Sequence, residues 1–185
     1  MLDLKTLNAL LELAFTGQIS WLEASNRFPL DELIETFFDL RERVGNSLDG
    51  LTDVQVAYAS PAHSIWSISA SVTHLISSQG FYHNKLLDLA TSELPHTIEA
   101  ARGFGERAKP SLPADELRQR LAAATGKIRA ALEATRASHD PNKTETHEFF
   151  GVCAYRTWVL LLLGHEVDHL RQVFAMRRLA RAEKP

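Results

Sequence analysis

Near the C-terminal end of the chain, the run LLLLGHEVDHLRQV sets His165 and His169 four residues apart. On a helix that spacing puts both imidazoles on one face, where they can bind a single metal ion. Trp158 and Leu162 precede them on the same stripe and Gln172 follows one turn later, so the pair is expected to face a core rather than water. A third histidine, His74, lies far upstream in SIWSISASVTHLISS. Its helix face carries Ser67, Ala70, Ser71, Ser78 and Phe81. These small neighbours leave room for an ion and something bound to it, and they would serve equally as a seam for close helix packing. Neutral imidazoles with open coordination positions suit Zn, Ni, Fe(II), Co or Mn. A metal held by only three protein ligands can bind water or a thiolate and make it nucleophilic near neutral pH.

A rival motif overlaps the pair. His165, Glu166, Val167, Asp168 and His169 spell H-E-x-x-H, the zincin protease pattern with Glu as general base. Its context is wrong: a third zincin ligand normally lies downstream, and no histidine follows His169. Gln172 also occupies the place where the longer metzincin pattern needs Gly. Glu166 and Asp168 are candidates for orienting a ligating imidazole or moving a proton, and both would be equally at home as solvated helix charges. His83 falls on the side of its helix away from His74. His147 shares a face with His165 in an unbroken last helix, but about 27 Å along the axis. His63, His96 and His139 fall in loops. Cys153 reads as a small buried apolar residue rather than a ligand or nucleophile.

Composition narrows the function classes. The 185 residues suffice for one domain with a substantial core. Hydrophobic residues make up 45% and charged residues 23%, and the net charge is −3, so no global pull toward nucleic acid is expected. Arg177, Arg178, Arg181 and Lys184 read as favourable charge at a helix C-terminus. One cysteine excludes an intrachain disulfide framework and suits a reducing cytoplasm. Neither a signal peptide nor a membrane span is expected: the run Val159 to Leu163 is far too short to cross a bilayer.

The elements that must position these residues are helical, because apolar residues recur at helical spacing and strand-like alternation is scarce. The periodicity predicts helices over 4–15, 20–28, 30–48, 67–90, 113–136 and 146–180. Ser67 is a good N-cap, and Pro113 with Asp115 and Glu116 marks another helix start. Four long amphipathic helices make a four-helix bundle over 30–185, with residues 1–29 as an N-terminal helical extension. The connection 90–112 is rich in turn-formers and too long for a tight turn. A helical turn is expected within it, at Ile98 to Arg102.

With these residues placed, the chain resembles the DinB/YfiT-like family of metal-dependent four-helix-bundle proteins. The matching stretches begin at Leu48-Asp-Gly-Leu-Thr-Asp-Val-Gln and Ile65-Trp-Ser-Ile-Ser leading to His74-Leu. They continue with Ser111-Leu-Pro-Ala-Asp-Glu-Leu and His165-Glu-Val-Asp-His169-Leu-Arg-Gln172. The resemblance covers roughly Leu30 to Arg178. It implies that His74, His165 and His169 together form a divalent-metal site facing a cleft. Gln172, Glu166, Asp168 and Ser78 then fall in a supporting shell or along the cleft. It also implies a transferase or isomerase activity dependent on a small-molecule thiol, or alternatively a non-catalytic metal- or ligand-binding role in stress. No catalytic residue is assigned. Gln79 stands where the family often has an acidic residue, and Leu170-Arg171 replaces its usual His/Arg-Gly.

The three histidines constrain topology. His74 lies about 10 Å into its helix and His165 and His169 about 30 Å into theirs. One shared ion then requires helix 67–90 to run antiparallel to helix 146–180, so the bundle is predicted to be up-down-down-up with the long crossover between its second and third helices. The apolar face of the first helix, Leu4, Leu7, Leu10, Leu11 and Phe15, must be covered by its own bundle or by a second subunit, and a homodimer is the expectation.

Overall fold

The computed structural model describes residues 2–60, 66–90 and 111–183. His63, His96, the crossover at 91–110 and the helical turn expected at Ile98 to Arg102 lie outside the described residues. The elements in order are α1 (Leu4–Phe15), α2 (Trp21–Ser25), α3 (Leu30–Ser47), α4 (Asp53–Ala57), α5 (Ile68–Ala90), α6 (Ala114–Arg136), β1 (Thr144–His147), β2 (Gly151–Ala154) and α7 (Tyr155–Glu183).

Local chemistry explains most boundaries. Asp3 caps α1 by accepting from the Lys5 and Thr6 amides. Thr52 and Gln55 form a reciprocal capping box at α4. The Ser67 hydroxyl accepts from the Ala70 amide at the head of α5. Pro113 is the N-cap of α6 rather than its first turn.

Helices α3, α5, α6 and α7 form a four-helix bundle, and cross-contacts fix their directions. Arg41 meets Glu166 and Arg177 meets the Asp49 carbonyl, so α3 and α7 are parallel. His74 meets His165, while Lys85 lies over Trp158, so α5 and α7 are antiparallel. Leu112 meets Ser69, and Gln79 meets Ala124, so α5 and α6 are parallel. Asp31 meets Arg136 and Asp49 meets Arg118, so α3 and α6 are antiparallel. The order is up-down-down-up, the predicted topology. The core contains the apolar stripe of α5 together with Trp158 and Leu160 to Leu163 of α7.

The last helix begins later than its periodicity suggested. Residues 144–147 and 151–154 pair instead as an antiparallel hairpin, with Thr144 opposite Ala154 and His147 opposite Gly151. The alternation Thr-Glu-Thr-His suits a strand. Gly151, at φ +69°, opens the return strand in a conformation that favours glycine.

Helix α1 is seated on its own bundle. Leu7 and Leu11 are buried, and the Leu2 amide donates to Thr36 Oγ1 of α3 at 3.0 Å. The apolar face of α1 therefore does not call for a second subunit to cover it. Its closest seat on α7 is Gly164, where a Cβ would lie 3.1 Å from Leu11 Cδ2. Gly164→Leu is expected to dislodge α1 and cost about 1–3 kcal/mol, the usual penalty of overpacking. Urea unfolding of the variant against wild type reads that loss, and an unchanged midpoint would contradict this packing. Below α1, Trp21 of α2 stands edge-on between Phe15 and Phe150, with ring centroids 4.7 and 5.9 Å away. Among the described residues no helix is long and apolar enough to cross a membrane.

Candidate metal centre

The cluster is assembled by two antiparallel helices. His74 comes from α5 and His165 and His169 from α7, and one ring nitrogen from each lies within 4.8 Å of the other two. His74 Nε2 and His165 Nε2 are 3.0 Å apart. The i, i+4 spacing on α7 delivers two imidazoles to one face, and the antiparallel neighbour brings the third to the same level.

The orientation of His169 is set by its own helix. Its Nδ1 lies 3.0 Å from Gln172 Oε1, three residues on. The amide oxygen is an acceptor only, so Nδ1 carries the proton and Nε2 keeps its lone pair for a ligand. This is the supporting hydrogen bond that ligating histidines usually have. Trp66 stacks on His169 at 5.7 Å and stands edge-on to His74 at 5.2 Å, while Tyr82 tilts over His165 at 5.7 Å. Gln172→Leu is expected to weaken divalent-metal affinity by about 10–100-fold while leaving the fold intact. Competition titration against a chromogenic chelator measures it, and wild-type affinity in the variant would remove Gln172 from the site.

Electrostatics favour ligands over cations. Burial, the neighbouring imidazoles and Arg41 hold His165 far below the ordinary histidine range. Burial also lowers His169, against the opposing effect of Gln172. Both rings are therefore neutral at physiological pH, the form that binds a metal. Within the described residues no carboxylate joins the three nitrogens.

The remaining expected residues separate. Glu166 is fully buried and turns toward α3, where its Oε2 lies 2.8 Å from Arg41 Nη2 in an ion pair whose side chains are 0% and 2% exposed. Burial pushes the Glu166 carboxyl up to about 7, with Arg41 opposing. A zincin base would face the ion, and this carboxylate faces α3 instead. Asp168 is exposed and pairs loosely with Arg171 at 3.7 Å, so it is not brought to the imidazoles. Ser78 is buried and its hydroxyl bonds the Leu75 carbonyl of its own helix. His147 lies in the hairpin, stacked on Phe150 and edge-on to Trp158, away from the cluster. His83 is half-buried on the α6 side of α5. Cys153 is buried, with burial as the main cause raising its thiol to about 11.

Sequence reasoning missed Arg41 and Tyr82. Arg41 had a signal: it lies four residues after Phe37 and three before Val44, a cation on an apolar stripe. The Tyr82 phenol is raised by burial first and Glu166 second, which keeps it protonated beside His165.

Comparison with known proteins adds three findings. A family model described as the DinB superfamily matches residues 41–173. The crystal structure of a histidine-to-alanine mutant of mycothiol-dependent maleylpyruvate isomerase has a similar fold, with a TM-score of 0.62 and 13% identity, covering 80% of this chain. This chain spans 62% of the length of that isomerase. No curated protein matches the chain.

Proposed function

The chain belongs to the DinB superfamily, and from that footing we propose that it is a metal-dependent transferase or isomerase acting with a small-molecule thiol. The observation that carries the reading is the convergence of three imidazoles, one of them fixed through Gln172, with a ring nitrogen of each within 4.8 Å of the others. The donor set fits a first-row divalent ion: all-nitrogen, uncharged, and few enough to leave coordination positions open. His74, His165 and His169 would hold it. A divalent ion so held supplies Lewis acidity and lowers the pKa of a bound thiol or water.

The protein's own side chains supply orientation and shielding. Gln172 holds the proton of His169 on Nδ1. Trp66 and Tyr82 flank the imidazoles with ring surface, which limits water around them. The fold-mate's dependence on mycothiol, stated of that enzyme, supports a thiol rather than water as the activated group. The single buried cysteine suits a reducing compartment, and this reading places the protein in the cytoplasm.

The test is a metal-replete screen of low-molecular-weight thiols against small electrophiles, with His165→Ala as control. Thiol-dependent turnover that disappears in the variant is the expected result. Equal background rates for wild type and variant across the panel would reject the transferase reading and favour a binding role without turnover.

A further inference from the structure

On the side of α5 away from His74, a groove of about 680 Å³ runs between α5 and α6. That is the size of a small-molecule site. It exists because Gly80, Ala123 and Ala124 bring little side chain to the seam between two parallel helices. Its charged lining is one-signed among the described residues: Lys127 and Arg120 contribute basic groups beside His83, and no carboxylate is among them. Arg120 is paired with Glu116 on its own helix, whereas Lys127 has no counter-ion among the described residues.

The second observation is Gln79, which lines the same groove while being only 4% exposed. Its Nε2 donates to the Ala124 carbonyl, which fixes the direction of the amide. Its Oε1 is then left buried without a hydrogen-bond partner. A buried acceptor in that state is unfavourable, and native structures rarely leave one so. A ligand bearing an O–H or N–H could donate to it, and a negative group on the same ligand would meet Lys127.

We propose that the α5–α6 groove binds a small carboxylate that also carries a hydroxyl or amine donor, at a site separate from the imidazole cluster. Lys127 takes the carboxylate and Gln79 Oε1 takes the donor. The periodicity of α5 puts Gln79, Gly80 and His83 on a different side from His74, so the groove and the cluster open on different faces. The proposal stands whether or not the imidazoles hold an ion.

Calorimetric titration of the full chain with L-malate and with succinate tests it, since the two differ by one hydroxyl. Malate is expected to bind at millimolar concentrations or below, and succinate about tenfold more weakly. Lys127→Gln, an exposed change that leaves the core untouched, should weaken malate by about tenfold. Gln79→Leu should erase the difference between the two acids. His74→Ala should leave malate binding unchanged. Absence of malate binding at millimolar concentrations, wild-type affinity in Lys127→Gln, or loss of binding in His74→Ala would each overturn the proposal. If Gln79→Leu fails to fold, the lysine and histidine variants still decide it.

Discussion

Alanine at His74, His165 and His169 together is expected to abolish stoichiometric binding of first-row divalent ions. Removing a residue that merely supports a ligating histidine costs about 10–100-fold in affinity, so removing the ligands themselves must exceed that. The three nitrogens lie within 4.8 Å of one another, and among the described residues no carboxylate joins them to compensate. The fold should survive, because the apolar cluster that ties α3, α5, α6 and α7 together keeps all its members in the variant. Elemental analysis after incubation with Zn and Ni gives the metal content, and far-ultraviolet circular dichroism checks helicity. Wild-type protein that remains metal-free under those conditions would reject the site, as would a triple variant that still binds one ion per chain.

Arg41→Met should be the most destabilising single change at this centre. Arg41 and Glu166 form an ion pair at 2.8 Å with both side chains out of contact with water. Breaking such a pair leaves one buried charge uncompensated and typically costs about 3–5 kcal/mol. Converting both partners, Arg41→Met with Glu166→Leu, removes the stranded charge and should recover most of the loss. The effect depends on pH with a definite sign. Burial already raises the Glu166 carboxyl above its usual value, to about 7, and Arg41 is the group that opposes the rise. Without Arg41 the folded-state pKa climbs further. A raised carboxyl contributes stability in full below its unfolded value, and loses it as pH rises through the folded value. The deficit of the variant should therefore be smallest in acid and widen above neutrality. His165 and His169 are held down by burial first and in part by Arg41, so their contribution changes in the variant on the acid side, and the widening above neutrality is the part that reports Glu166. Urea midpoints measured across that range provide the test, and a deficit that shrinks with rising pH would refute the account.

The residues show why some of this was legible and some was not. The spacing of His165 and His169 is a local regularity. The antiparallel order of α5 and α7 agrees with the structure, but the distances used to infer it assumed a helix start at 146, and α7 starts at Tyr155. The pair Glu166 and Asp168 looked equivalent in the sequence. On the helix, Glu166 is one step past His165 and rotates toward α3, while Asp168 is one step short of His169 and rotates into solvent. Which side faces a neighbouring helix is a tertiary fact that periodicity does not carry. Arg41 lies 125 positions before Glu166 by subtraction of their numbers (166 − 41), and no local pattern links them. The hairpin before α7 was hidden for another reason. Its two strands have four residues each, too short for alternation to outweigh the strong helical pattern that follows.

The position of α7 has a consequence for how the chain is made. This helix packs on α3 and α5, and its N-terminal end meets α2, where Ser25 Oγ lies 3.2 Å from Thr157 Oγ1 across 132 positions of sequence. At about 5–20 residues per second, a ribosome needs roughly 7–26 s to pass from one of those residues to the other. By the end of that interval the nascent chain holds α1 to α6 without the helix that packs on α3 and α5. Until α7 is made, α3 and α5 lack the helix they pack against, and Arg41 lacks its carboxylate. Closure of this bundle therefore waits for α7 to be translated, and until then the nascent segment offers holdase chaperones its uncovered apolar helix faces.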